Sequence, residues 1–182
     1  MAKSSTRFDD GVADIIGGWA VSRPELDVAA MEVFGRLHRS YLLYRAEINA
    51  GFESFGINEA GFDVLACLRR AEPDYRRTAG ELAKQTLVTT GGLTLRVNRL
   101  EAAGLVLRER DEHDARVVYV SLTGDGKELV DEVADAHFAI LDRLLQGVSA
   151  RDRKQLAELL YRLEGSLRAS GDPELVDGVE SA

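Results

Sequence analysis

The sequence predicts a mainly α-helical protein with one small β-hairpin. Three observations predict it. Apolar residues recur at steps of three and four along several long segments, as on helices that bury one face. β-type runs are confined to two short stretches, LVLRE and VVYVSL, joined by the polar RDEHDAR. Between residues 78 and 126 a short helix, a turn, a longer helix and that hairpin follow one another, with further helices on both sides. That order is the grammar of a winged helix-turn-helix domain with appended N- and C-terminal helices.

Each element has a local reason. Residues 1–10 are polar and are expected to form a flexible N-terminus. GVADIIGGWA (11–20) predicts a short apolar helix weakened by glycines, and Pro24 marks a break. A long helix is predicted from Asp27, with Phe34, Leu37, Tyr41, Tyr44, Ile48, Phe52 and Phe55 as one stripe, ended by Gly56. Asn58 is placed to cap the next helix, about 59–71, which stops before Pro73. Thr78 and Glu81 fit a capping box for a helix of about 79–85. Thr89 or Thr90 can cap the following helix, which runs to Ala103 with Gly104 as its C′ residue. Thr123 can cap a helix to about Gln146, with Leu129, Val133, Ala136, Ile140 and Leu144 on one face. Ser149 can cap the last helix, which carries Leu156, Leu159, Leu163 and Leu167. The tail, 171–182, is expected to be flexible.

The stripes on 27–55 and 124–169 come from opposite ends of the chain. A winged helix of about 100 residues cannot cover both. Packing the terminal helices against each other and against a second copy is the economical solution, so a homodimer is expected.

Composition narrows the function classes. The chain has 182 residues and a single cysteine, Cys67, which allows no intrachain disulfide and suits a reducing cytosol. His38, His113 and His137 are far apart, and no Cys/His spacing resembles a zinc site. No apolar run nears the roughly 20 residues of a membrane span, and MAKSSTRFDD lacks the apolar centre of a signal peptide. A cytoplasmic protein with no membrane partner, no metal and no cofactor is expected. Net charge is −8, yet residues 76–116 hold eight of the 23 basic residues and only six of the 31 acidic ones. The acidic excess therefore lies outside the predicted helix-turn-helix and hairpin.

That distribution, together with the element order, points to duplex DNA. A recognition helix must offer groups for base edges and phosphates. The helix from Thr89 supplies Thr90, Thr94, Arg96 and Arg99, while Leu93, Val97 and Leu100 form its core side against Leu82, Leu87 and Val88. Gly91 and Gly92 are poor helix formers; either they let the helix N-terminus approach the DNA backbone, or they are merely tolerated. Either Arg96 or Arg99 alone would be read as a solvated charge; in this order of elements they are read as DNA contacts. The hairpin carries Arg108, Arg110, His113 and Arg116, able to enter a minor groove or grip phosphates. Asp111, Glu112 and Asp114 oppose that, unless an acid there orients Arg116 and shapes the turn. Arg116 is the favoured wing contact.

The run TLRVNRLEAAGLVLRERDEHDARVVYVSLTGDGKEL resembles the core signature of the MarR family of winged-helix transcription regulators. The residues that carry the likeness are Thr94, Arg99-Leu100-Glu101, Gly104-Leu105-Val106, Asp114-Ala115-Arg116, Leu122-Thr123 and Gly126. It extends over about residues 27–169. It implies a homodimer joined by its terminal helices, bound to a palindromic operator with each recognition helix in a major groove and each wing beside it. It also implies repression, relieved when a small anionic or phenolic ligand binds. The expected organisation is then a flexible segment (1–10), N-terminal helices for a ligand pocket and dimerisation (11–55), the winged helix-turn-helix DNA-binding domain (56–122), C-terminal dimerisation helices (123–170) and a tail.

Trp19, Asp63, Arg70 and Arg96 further resemble the ligand set of the family's urate-responsive branch, which adds an N-terminal helix bearing a tryptophan. Asp63 and Arg70, two turns apart on one helix, are separated by about 10 Å along its axis. A planar anion stacked on Trp19 and paired with Arg70 would repel Asp63, whose link to Arg96 would shift the recognition helix. Core packing of Trp19 and simple surface roles for Asp63 and Arg70 are the plainer alternatives, and another planar or carboxylated metabolite would fit the same positions.

Other classes find less support. A protein-interaction winged helix does not need a basic wing. A redox sensor at Cys67 is disfavoured by its apolar neighbours Leu65, Ala66 and Leu68, which suit a buried inert thiol. No nucleophile stands beside a base, so an enzyme is not expected.

Overall fold

The computed structural model describes residues 10–86, 90–114 and 116–171, with backbone alone at Thr90 and Gly91. The expectations placed on residues 1–9, Leu87, Val88, Thr89, the Thr90 side chain, Ala115 and the tail beyond Gly171 lie outside these residues. The chain divides into two compact units, one up to Glu47 and one from Ile48.

The first unit holds α1 (Gly11–Ser22) and the beginning of α2 (Met31–Glu53). Asp10 caps α1, accepting the backbone N–H groups of Val12 and Ala13 at 3.2 and 3.3 Å. It also pairs with Arg36, which reaches Glu32 one turn back. Val12, the buried residue of α1, sits against Gly35: a Cβ on Gly35 would stand 2.8 Å from Val12 Cγ1. Small-residue contact, rather than a broad apolar face, therefore fastens α1 to α2. Trp19, Phe34, Leu37 and Tyr41 are exposed. α2 starts at Met31, later than the predicted Asp27. Asp27 instead accepts the Ala29 N–H at 2.9 Å, and such a local side-chain bond competes with helix.

The second unit runs from the end of α2 through α3 (Glu59–Arg69), β1 (Arg76–Thr78), α4 (Ala79–Gln85), α5 (Thr90–Ala102), β2 (Val106–Arg110), β3 (Val118–Leu122), α6 (Gly124–Leu144) and α7 (Ala150–Ser170). The strands form one antiparallel sheet, ordered β1-β3-β2. Val64, Leu65 and Leu68 of α3 form the centre of the core with Leu82 of α4, Leu93, Val97 and Leu100 of α5, Val106 and Val120 of the sheet and Val130 of α6. Each such side chain contributes about 1.5–3 kcal/mol relative to exposure. A satellite cluster joins Ile48, Phe52 and Val133, with His137 stacked on Phe52 at 5.2 Å.

Four predicted caps are found; the one expected from Thr89 or Thr90 lies outside the described residues. Asn58 accepts the Gly61 N–H at 2.8 Å, Thr123 that of Gly126 at 3.0 Å, and Ser149 that of Asp152 at 3.2 Å. Thr78 and Glu81 form the reciprocal capping box. Gly104, at φ 75°, ends α5 with Leu105 N–H donating to Leu100 O and Gly104 N–H to Glu101 O, both at 2.9 Å.

Strand β1 was not predicted. Arg76-Arg77-Thr78 has no β-type run; pairing of Arg77 with Val120 makes it a strand. The Arg76 guanidinium lies 3.6 Å from the centre of the Tyr119 ring, a diagonal contact that ties β1 to the central strand β3. Among the described residues no helix is long and apolar enough to cross a membrane.

Candidate nucleic-acid interface

α5 has two faces because its sequence alternates at helical spacing. Leu93, Val97 and Leu100 are buried, while Thr94, Asn98 and Arg99 are exposed. The capping box of α4 sets the preceding helix: Glu81 N–H donates to Thr78 Oγ1 at 3.2 Å and Thr78 N–H to Glu81 Oε2 at 2.8 Å. The Thr78 backbone bond is the largest influence holding the Glu81 carboxyl below its ordinary range.

Arg96 folds back along its own helix. A Cβ on Gly92 would stand 2.9 Å from a guanidinium nitrogen of Arg96 and 3.0 Å from its central carbon. The glycine read as permitting close approach of DNA lies under the Arg96 guanidinium.

Arg108 also differs from its reading as one of the wing's outward cations. Its Nη1 lies 3.2 Å from Glu101 Oε2, and its Nη2 donates to the Thr94 carbonyl at 3.4 Å. It braces β2 against α5 and so fixes the wing relative to the reading helix. Sequence carries a weak signal for this, an acid and a base flanking the Gly104 turn.

The acids of the hairpin shape it. Asp111 accepts the N–H groups of His113 and Asp114 at 2.8 and 2.9 Å, and these bonds hold its carboxyl below the usual range. Asp114 takes Arg116 in a two-point pair, Nε to Oδ1 at 3.0 Å and Nη2 to Oδ2 at 2.9 Å. The Arg116 side chain is nonetheless 91% exposed. The carboxylate presents the cation outward without enclosing it. Arg110 and His113 are exposed beside it. Thr94 and Arg99 are thus exposed on α5, and Arg110, His113 and Arg116 on the hairpin that Arg108 ties to it.

Of the suggested ligand residues, Asp63 is half-buried on α3 and Arg70 is exposed at its C-cap. Both act electrostatically on Cys67, as do Arg77 and Glu81. Cys67 is 2% exposed, and its thiol donates to Gln85 Oε1 at 3.5 Å. Burial pushes that thiol up, away from thiolate. Trp19 belongs to the other compact unit and is exposed on α1. Among the described residues no group of three or more His, Cys, Asp or Glu is placed to hold a metal ion.

A model of the MarR family matches residues 55–117. The HTH-type transcriptional regulator PecS of Dickeya dadantii is 33% identical over 156 residues, covering 86% of this chain and 94% of that protein. The chain belongs to the MarR family. It is a DNA-binding transcription regulator of winged helix-turn-helix type, and its relatives are regulators rather than enzymes. The HTH-type transcriptional repressor YetL of Bacillus subtilis is 27% identical over 142 residues, 76% of this chain and 84% of YetL. A mutant of MarR from E. coli, solved with operator DNA, superposes with a TM-score of 0.65 at 27% identity, covering 76% of this chain and 99% of that one. In this MarR-family chain α5 is therefore the second helix of the helix-turn-helix, here called the reading helix, and the β2–β3 hairpin is the wing.

Proposed function

We propose that this regulator is a homodimeric repressor of its own and neighbouring genes that binds a palindromic operator and leaves it when a small anionic, urate-type ligand binds. The pairing of an exposed Arg99 face on α5 with an Asp114-held Arg116 beside it carries the DNA-reading part. Thr89, Thr90, Gly92 and Arg96 are assigned to the same interface by sequence. The dimer is supported by α7, a 21-residue helix with no buried residue. Similarity to PecS and to a repressor supports the regulatory direction.

The ligand response is assigned to Trp19, Asp63, Arg70 and Arg96. Arg70 would pair with the anion and Asp63 would be repelled, changing what Arg96 meets over Gly92. The part of Trp19 rests on sequence resemblance. The test is a gel-shift with the DNA upstream of the chain's own gene, titrated with urate. Dissociation of the wild-type complex, but not of Arg70→Ala, is expected; equal response in both excludes Arg70, and no response in either excludes urate.

A further inference from the structure

The beginning of α6 is fastened directly to the end of α5. Thr123 Oγ1 donates to the Gly104 carbonyl at 2.8 Å and accepts the Gly126 N–H at 3.0 Å. The Thr123 backbone N–H donates to the Leu105 carbonyl at 3.1 Å. Gly126 is buried, and a Cβ there would overlap the Leu105 carbonyl oxygen and stand 2.9 Å from its carbonyl carbon. Those are backbone atoms, which cannot step aside as a long side chain can.

Gly104 and Leu105 are also the residues that close α5, through their bonds to Glu101 and Leu100. Strand β2 follows at Val106. One short segment thus ends the reading helix, starts the wing and seats the N-terminus of α6. α6 is 21 residues long, so it is a lever of about 30 Å anchored at that point. A tilt of α6 reaches α5 through backbone contacts with little slack.

We propose that Thr123 and Gly126 are positioning residues for DNA reading, forming a joint through which α6 sets the pitch of α5 and the wing. Neither side chain needs to touch DNA. The joint acts at the C-terminal end of α5, whereas Arg96 stands mid-helix with its guanidinium turned back over Gly92, so the joint is separate from the proposed ligand route. Losing it should blur base reading more than phosphate binding, because phosphate contacts tolerate small rotations and base-edge contacts do not.

The test compares two duplexes of equal length: one selected from a random pool by the wild-type protein, and a scrambled one. Thr123→Val keeps the shape of the side chain and removes both Oγ1 bonds. It should lower affinity for the selected duplex about tenfold, the size of one mismatched base pair, and leave the scrambled duplex bound as before. Thr123→Ser should restore the wild-type ratio, and Gly126→Ala should behave as Thr123→Val. If Thr123→Val does not fold, Thr123→Ala removes the same bonds with less bulk. A wild-type ratio in folded Thr123→Val, or equal losses on both duplexes, would overturn the proposal.

Discussion

Two helices of this chain carry apolar residues at the same helical spacing and meet opposite fates. On α5, Leu93, Val97 and Leu100 are buried against α3, α4 and the sheet. On α7, Leu156, Leu159, Leu160 and Leu167 are between 42% and 53% exposed. The reading head is completed within one chain; α7 is not. Leaving a leucine half open forfeits roughly half of the 1.5–3 kcal/mol of full burial, about 1 kcal/mol each, so several in one row favour association. On the proposed dimer, the contrast separates residues that make the protein fold from residues that would make it pair.

The largest expected effect falls on the finished side. Leu68→Ala in the fully buried centre should destabilise the chain by about 2–5 kcal/mol in denaturant unfolding. Leu159→Asp should leave unfolding of dilute protein nearly unchanged and should instead shift sedimentation from dimer to monomer. Equal destabilisation by both would erase the contrast. Next in size, Arg99→Ala and Arg116→Ala should each weaken operator binding by about 1–3 kcal/mol, read by fluorescence anisotropy, without moving the thermal midpoint. Both side chains are exposed, so a drop in stability would reassign them to the fold.

A smaller effect is expected at the α4 cap. Thr78→Ala removes one half of the capping box and should cost about 1 kcal/mol, with Thr78→Ser retaining most of it. Calorimetric unfolding of the two variants checks this. The smallest concerns His137, held below its ordinary value of 6.5 by burial among Phe52 and Phe62, with Glu59 acting in the opposite sense. The unfolded chain takes up this proton at a higher pH than the folded chain. Stability is therefore full above 6.5, declines as pH falls through it, and levels off below the folded value. His137→Phe should flatten that decline in melts recorded between about pH 5 and 8.

Four helix starts were legible because Asn58, Thr78, Thr123 and Ser149 each place a side-chain acceptor before an apolar periodic segment, while that of α2 was not. The hairpin was legible from its β-type runs. β1 was not, since three cationic and polar residues become a strand only by pairing with β3, which lies more than forty residues later. The direction of Arg108 was equally hidden: it depends on where the Gly104 turn delivers Glu101. The exposed Arg116 could be picked out because Asp114 is two residues away and its geometry is local. Side-chain pairings fixed by near neighbours were readable, and those fixed by tertiary placement were not.

The central claim is that two finished reading heads are joined through an unfinished helix face. Sedimentation of the protein with its labelled operator duplex tests this directly. Two chains per duplex are predicted for the wild type, and for folded Leu159→Asp one weakly held chain with affinity no better than for scrambled DNA. A single wild-type chain bound per duplex at full affinity would contradict it.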